Sequence, residues 1–123
     1  MKNLSEIADA FLGIVAEVRR QLGPGLREAT YEEALCVEMN QAGLRYRRRP
    51  EIPVLYKGRP IGDFQLGLVI EDAIAVGIGS AGRRGPAFPE QIQTTLRIAG
   101  HRLGLWIDFN ADRPRDGITR FAL

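Results

Sequence analysis

Two short apolar runs near the middle of the chain, residues 64–70 and 73–79, dominate its pattern of hydrophobic and polar positions. Both runs are rich in Val, Ile and Leu, and the acidic pair Glu71-Asp72 separates them. Short apolar runs bounded by polar turn residues are typical of buried strands. The pattern therefore predicts two neighbouring strands of one sheet, joined by a tight turn.

Helices and further strands are predicted on either side of this pair. Apolar residues at helical spacing predict one helix over residues 5–22, with Ser5 as its N-cap, and a second over residues 27–41. Prolines interrupt a predicted edge strand over residues 44–56. The chain then ends with a predicted helix and two strands, over residues 89–99, 103–109 and 118–122. This order predicts a single α/β or α+β domain over residues 1–123.

Composition and charge are those of an ordinary globular domain. The 123 residues are 45% hydrophobic and 26% charged, with a formal net charge of +2 at pH 7. No apolar run approaches the roughly 18 residues of a membrane-spanning helix, and the start of the chain lacks the apolar core of a signal peptide. We therefore expect a cytoplasmic protein with no membrane partner. One cysteine and one histidine cannot form a Cys/His metal cluster.

Glycine stands inside the two central runs, where it is unfavourable. Gly67, Gly77 and Gly79 occupy predicted strand positions, and a strand glycine costs about 0.5–1 kcal/mol relative to alanine. Gly77 and Gly79 are two residues apart and so face the same side of the sheet, while a turn at Glu71-Asp72 brings Gly67 close to Gly77. The centre of the predicted sheet is therefore emptied of side chains, which indicates that a group lies close to the backbone there or formerly did so. On this reasoning, replacing the glycines is not expected to lower stability.

Several blocks of the sequence match one protein family. Gly25-Leu26-Arg27-Glu28-Ala29-Thr30-Tyr31 fits the pattern G-x-x-E-x-x-Y, within the longer stretch EVRRQLGPGLREATYEEAL. Further blocks follow in order: YKGRPIGDF, LVIED, PEQIQTTLRIAG, LGLWIDFN and RDGI. On these blocks, which extend over nearly the whole chain, the sequence resembles the GxxExxY family, which is assigned to the PD-(D/E)XK nuclease superfamily.

The resemblance implies an α/β fold with an αβββαβ core, in which helices flank a central mixed sheet. It also implies a catalytic aspartate on one strand and the motif E-x-K on the next. Aligned on LVIED, the aspartate falls on Gly67 and the E-x-K on Gly77-Ile78-Gly79. The family's common histidine and lysine fall on Arg19 and Ala73. The chain keeps the family's scaffold and departs from the family at the positions of the catalytic residues.

A nuclease of this type needs groups that glycine cannot supply. Carboxylates hold Mg²⁺, and the lysine orients the attacking water or neutralises developing charge. We therefore expect no tight metal site and no cofactor, since Mg²⁺ is implied only for an intact family member. Three matched positions keep a polar side chain, and with the three glycines they form the candidate site: Glu28, Tyr31 and Gln91.

These residues favour a catalytically degenerate nuclease-fold protein that retains weak nucleic-acid binding. Two other interpretations stay open. An active Mg²⁺-dependent nuclease would need relocated ligands, for which the candidates are Glu28, Asp63 and Gln91. Alternatively, the chain is a protein-interaction module, such as a homodimer, with no nucleic-acid role.

Arginines supply the candidate nucleic-acid surface. On a strand, Arg45, Arg47 and Arg49 share one face, and such a stripe suits a phosphate backbone. Arg83 and Arg84, in the predicted loop after the glycine-rich strand, extend it. The alternatives are an edge strand guarded by charge against pairing and a solvated loop. Arginines gathered around the glycines would favour nucleic acid, and dispersed arginines would favour an interaction module.

Two residues late in the chain are given structural interpretations. His101 follows Gly100, which ends the predicted third helix, and it is expected at the surface. Trp106 lies within an apolar strand and is expected in the core.

Overall fold

A computed structural model describes residues 3–65, 67–79, 94, 96–98 and 100–122 of the chain. Within these residues two long helices come first and seven strands follow: α1 (Leu4–Leu22), α2 (Glu28–Ala42), β1 (Tyr46–Arg48), β2 (Glu51–Tyr56), β3 (Arg59–Gln65), β4 (Leu68–Ile70), β5 (Ile74–Gly79), β6 (Leu103–Asp108) and β7 (Ile118–Ala122). A 3-10 turn, Pro114–Gly117, precedes β7. Residues 94 and 96–98 are helical, and the rest of the predicted third helix lies outside the described residues.

Five strands form the main sheet, in the order β1-β4-β5-β6-β7. β5 and β6 run parallel, and the other neighbours in the sheet are antiparallel. β2 and β3 form a separate antiparallel ribbon. A mixed sheet flanked by helices confirms the predicted α/β fold class.

A tight turn joins β4 to β5, as the sequence predicts. Glu71 and Asp72 both have a φ of 52°, and the Ala73 N–H donates to the carbonyl of Ile70 at 2.9 Å. Positive φ at both central residues belongs to the type I′ turn, whose twist matches that of the strands it joins. This hairpin fixes the register in which Leu68 pairs with Val76.

Two predicted strands are each divided between sheets. Residues 44–56 become β1 and β2, because Arg49 takes a φ of 47° and Pro50 has no N–H to continue the ladder. The apolar run 64–70 is likewise split, since β3 ends at Gln65 and β4 begins at Leu68. Apolar content alone did not reveal that the chain passes from the ribbon to the main sheet.

The N-cap of the first helix lies two residues before the predicted one. Asn3 is the N-cap, because its Oδ1 accepts the N–H of Glu6 at 2.8 Å, and the prediction of Ser5 is wrong. Gly23 ends α1 by donating its N–H to the carbonyl of Arg19 at 2.8 Å. Gly43 ends α2 with a φ of 74°.

The main sheet buries its two faces against different parts of the chain. The face that packs against α1 and α2, here called the α1–α2 face, carries the larger core, whose sheet residues include Leu68, Ile70, Ile74, Val76, Leu103, Leu105 and Ile107. The opposite face carries a smaller cluster of Val69, Ala75 and Phe121 together with Leu96. Alternation along the strands places the three glycines on this second face, which is called the glycine face below.

Candidate functional site

Gly67 and Gly77 lie next to each other on the glycine face. Leu68 pairs with Val76 in the β4–β5 ladder, so the preceding Gly67 falls opposite Gly77. A Cβ built on Gly67 would stand 3.5 Å from the Cα of Gly77. The two positions are neighbours, as the sequence predicts.

The indole of Trp106 lies over Gly77 and Gly79. Trp106 is the register partner of Gly77 on the adjacent parallel strand β6. A Cβ on Gly77 would stand 2.7 Å from Cε3 of the indole, and one on Gly79 would stand 2.8 Å from Cε2 and would overlap Cζ2. Carbon atoms that are not bonded do not approach this closely in folded proteins. The absence of both side chains is therefore what allows the ring to lie against the backbone of β5.

Gly67 lacks a side chain for a different reason. A Cβ at this position would stand 2.5 Å from the carbonyl oxygen of Val76, which is a backbone atom of the neighbouring strand. The carbonyl of Gly67 itself accepts the N–H of Arg49 at 2.7 Å. A side chain at Gly67 would therefore require β4 and β5 to shift apart.

Trp106 is the residue of this site that the sequence reasoning missed. It is half-buried and packs on the smaller cluster, which agrees with its predicted structural role. The sequence reasoning allowed for a group close to the backbone at the glycines but did not identify it as Trp106, although a signal was present. A G-x-G segment on one strand leaves room for one large ring from a neighbouring strand.

Asp108 is the acidic residue nearest in register to the glycines. It pairs with Gly79 across the β5–β6 ladder, is half-buried, and accepts the N–H of Asn110 through Oδ1 at 2.9 Å. Mg²⁺ requires several oxygen ligands around one point. No group of three or more His, Cys, Asp or Glu side chains that could hold a metal occurs among the described residues. The side chains described do not fit a magnesium centre.

Tyr31 lies in the core on the α1–α2 face, away from the glycines. Its ring stacks on that of Phe109 with centroids 4.2 Å apart and planes 7° apart. Its hydroxyl donates to the carbonyl of Gly23 at 2.6 Å and accepts the N–H of Leu26 at 3.1 Å. Glu28 is the exposed first residue of α2. Tyr31 is therefore on the opposite face of the sheet from the glycines, and Gln91 lies outside the described residues.

The G-x-x-E-x-x-Y segment instead fastens the loop between the helices to the end of β6. The Gly25 N–H donates to Oδ1 of Asn110 at 2.7 Å, and Gly25 has a φ of 99°, which favours glycine. The guanidinium of Arg19 donates to the carbonyls of Phe109 and Ala111. Together with Tyr31, these contacts give the glycine and tyrosine of the motif a structural role.

Three of the arginines after α2, namely Arg45, Arg47 and Arg49, each lie beside a carboxylate. Arg45 lies 3.2 Å from Glu71, and Arg47 lies 3.1 Å from Asp72 at the β4–β5 turn. Arg49 lies 3.7 Å from the buried Glu32 of α2. The prediction that these arginines share one strand face is wrong, because β1 ends at Arg48 and the φ of Arg49 is positive.

Other residues assigned to the site lie elsewhere. Arg83 and Arg84 are outside the described residues. Asp63 is exposed in the middle of β3, in the separate ribbon. The buried Glu32 also lies 2.7 Å from Arg48, so it ties α2 to the edge of the main sheet.

His101 is buried, with 8% of its surface exposed, and the prediction of a surface position is wrong. Gly100 and His101 both donate their N–H groups to the carbonyl of Leu96, at 2.9 and 3.1 Å, so the residue does follow a helix end. Among the described residues, Nδ1 of His101 has no hydrogen-bond partner. Burial lowers the pKa of His101, Arg47 lowers it further, and Asp72 opposes the shift.

One comparison with known proteins identifies a relationship. A protein-family model described as the PD-(D/E)XK nuclease superfamily matches residues 5–121, which is nearly the whole chain. A search of curated proteins finds no match. No helix in the described part of the chain is long and apolar enough to cross a membrane.

A double-mutant cycle tests the contact between Trp106 and the glycines. Gly79→Ala should destabilise the protein by about 1–3 kcal/mol, because its Cβ overpacks against the indole. In a Trp106→Val background the same change should stabilise by roughly 0.5–1 kcal/mol, since only the removal of a strand glycine is left. Urea denaturation measures both differences.

Gly62→Ala in β3 is the matched control, because a Cβ there meets no atom within 4 Å. It should be neutral or stabilising in both backgrounds. Equal effects of Gly79→Ala with and without Trp106 would show that the ring does not lie where it is described.

Stability should also fall as the pH is lowered, because His101 is buried in its neutral form. The folded state favours the neutral imidazole, so the pKa of His101 is lower when folded than when unfolded. The contribution to stability is therefore complete above about pH 6.5 and is lost as the pH falls below that value. Urea denaturation of the wild type and of His101→Gln at several pH values measures it, and the variant should lose this part of the pH dependence. If the stability of His101→Gln changes with pH as steeply as that of the wild type, the pH dependence belongs to other groups.

Proposed function

The chain belongs to the PD-(D/E)XK nuclease superfamily, and we propose that it is a catalytically degenerate member of it. In this proposal it belongs to the GxxExxY branch, on the strength of the Gly25–Tyr31 segment. Gly67, Gly77 and Gly79 then stand at the positions of the lost aspartate, glutamate and lysine. The domain would keep the nuclease-like scaffold without its metal-dependent hydrolysis.

The position of Trp106 is the observation that carries this proposal. Its indole occupies the space into which side chains at Gly77 and Gly79 would project. Changing only those glycines to glutamate and lysine would force the ring to move. The site therefore differs from a metal centre in two linked ways, through missing donor groups and through a large apolar group in their place.

The interpretation with relocated ligands receives less support. Glu28 begins α2, whereas Asp63 lies in the separate β2–β3 ribbon. Asp108 faces the glycines, but one carboxylate supplies too few ligands for tight Mg²⁺ binding. A nuclease with relocated ligands would need at least two more oxygen donors beside Asp108.

Weak nucleic-acid binding is retained in the proposal as a secondary property. The pairs Arg45–Glu71 and Arg47–Asp72 have guanidinium groups that are more than half exposed. Both partners of Arg47–Asp72 are exposed, and exposed ion pairs contribute little to stability, so Arg47 can exchange its carboxylate for a phosphate at small cost. Glu71 is only 17% exposed, but it also accepts the backbone N–H of Arg45 at 2.6 Å and so keeps one partner if the Arg45 guanidinium turns to a phosphate. No base-reading motif accompanies them, and the binding would depend on charge alone.

The absence of a catalytic metal site can be tested with the wild-type protein. Calorimetric titration with Mg²⁺ and with Mn²⁺ should show no saturable binding below the millimolar range, and single- and double-stranded DNA and RNA should survive incubation with either ion. Asp108→Asn and Glu28→Gln are the comparison variants. Metal-dependent cleavage that either variant abolishes would instead support the relocated-ligand nuclease.

Nucleic-acid binding can be tested by fluorescence anisotropy with oligonucleotides of unrelated sequence. We expect weak binding without sequence preference. With about two phosphate contacts, raising the salt from about 50 to about 200 mM should weaken binding roughly tenfold. Arg47→Ala should weaken it, and Arg20→Ala on α1, whose guanidinium is also exposed and paired, should not. Sequence-selective binding that resists salt would contradict this part of the proposal.

A further inference from the structure

The β2–β3 ribbon has an inner and an outer side. Ile52 and Val54 are half-buried, and Ile52 packs against the cluster on the glycine face. The alternate residues Glu51, Pro53 and Leu55 are exposed. On β3, residues 59–63 are all exposed. One side of the ribbon therefore meets the body of the domain and the other faces outward.

Large apolar side chains are concentrated on this ribbon. Leu55, Tyr56 and Ile61 are 59%, 61% and 65% exposed, the largest exposures among the large hydrophobic residues described. Ile61 is the extra residue at the shift of register between β2 and β3, where Val54 pairs with Gly62 and Leu55 with Pro60. Contiguous exposed apolar groups on a domain surface are typical of an interaction site.

The charges of the ribbon are separated by sign along its length. Glu51 and Asp63 stand towards the base, and Lys57 and Arg59 stand at the tip. No ion pair joins any of these four to another described residue, although Arg45, Arg47 and Arg49 all have carboxylate neighbours. The Lys57 ammonium group lies 5.5 Å from the centre of the Tyr56 ring, which does not neutralise its charge. The ribbon therefore carries an acidic end and a basic end that no ion pair among the described residues neutralises.

We infer that this ribbon is the contact surface between two copies of the chain, packed face to face and antiparallel across a two-fold axis. Glu51 and Lys57 lie equally far from Val54 on β2, and Asp63 and Arg59 lie equally far from Ile61 on β3. A two-fold axis near the middle of the ribbon therefore places the tip of each copy on the base of the other. The inference does not depend on the proposed loss of catalysis.

In this arrangement the charged tip of each copy lies over the acidic base of the other. Lys57 meets Glu51 of the second copy. Arg59 pairs with Tyr56 and so lies on the other side of β3 from Asp63, but it adds to the positive charge of the tip. Leu55 packs on Pro53, and the two Ile61 side chains meet near the axis. An isologous contact requires a surface that is complementary to itself, and this ribbon meets that requirement.

Pairing of ribbon edges is a less suitable arrangement. Pro53 and Pro60 lack the N–H groups that an added strand would need, and prolines and charges are common protections against such pairing. The contact is small, so the dimer should dissociate with a constant on the order of 10⁻⁴ M.

Sedimentation equilibrium of the whole chain over a range of concentrations tests the inference. The wild type should form a reversible dimer that weakens as salt is added. Lys57→Glu with Arg59→Glu makes the ribbon wholly acidic, and Glu51→Lys with Asp63→Lys makes it wholly basic. Each double variant alone should dimerise at least tenfold more weakly. An equimolar mixture of the two should form a heterodimer at least as strong as the wild-type dimer.

The control variant changes the same amount of charge elsewhere. Arg20→Glu with Arg102→Glu alters two exposed arginines outside the ribbon and should leave the dimer unchanged. Circular dichroism verifies that each variant is folded. A wild type that stays monomeric up to millimolar concentration, a dimer that survives both reversals, or a mixture that stays monomeric would each overturn the inference.

Discussion

The close contact between the Trp106 indole and the backbone of β5 determines how the glycine face is built. The ring can lie there only because Gly77 and Gly79 have no Cβ, and the glycines are covered only because the ring is present. Strand glycines alone would expose backbone and lose packing. The aromatic ring of the neighbouring strand returns that packing, so the three residues act as one unit and their substitutions cannot be additive.

On the α1–α2 face, residues of the G-x-x-E-x-x-Y segment have a structural role. Tyr31 stacks on Phe109 and holds the loop after α1 through its hydroxyl, while Asn110 receives the N–H of Gly25. These contacts join the helical layer to the end of β6, the strand that carries Trp106. Strand β6 thus connects the segment by which the chain resembles its family with Trp106, which covers the glycines.

The sequence predicted the features that depend on local pattern. The turn at Glu71-Asp72 follows from two apolar runs separated by polar residues, and the proximity of Gly67 and Gly77 follows from that turn. The predicted arginine stripe failed because a single positive φ at Arg49 ends β1. The burial of His101 could not be predicted, because it depends on which elements pack over a helix end and not on the residue's neighbours in sequence.

The effect of filling a strand glycine shows why the candidate site could be predicted only in part. The sequence alone suggests that each strand glycine lowers stability and that any side chain in its place would raise it. In the structure, Gly67 faces a backbone carbonyl, whereas Gly77 and Gly79 face an indole that a second substitution could remove. Whether a side chain added at one of these glycines raises or lowers stability therefore depends on the neighbouring strand. On the proposed function, catalytic side chains could not return one at a time, since each would first meet Trp106 or the backbone of Val76. Such a constraint would hold the domain in its degenerate form.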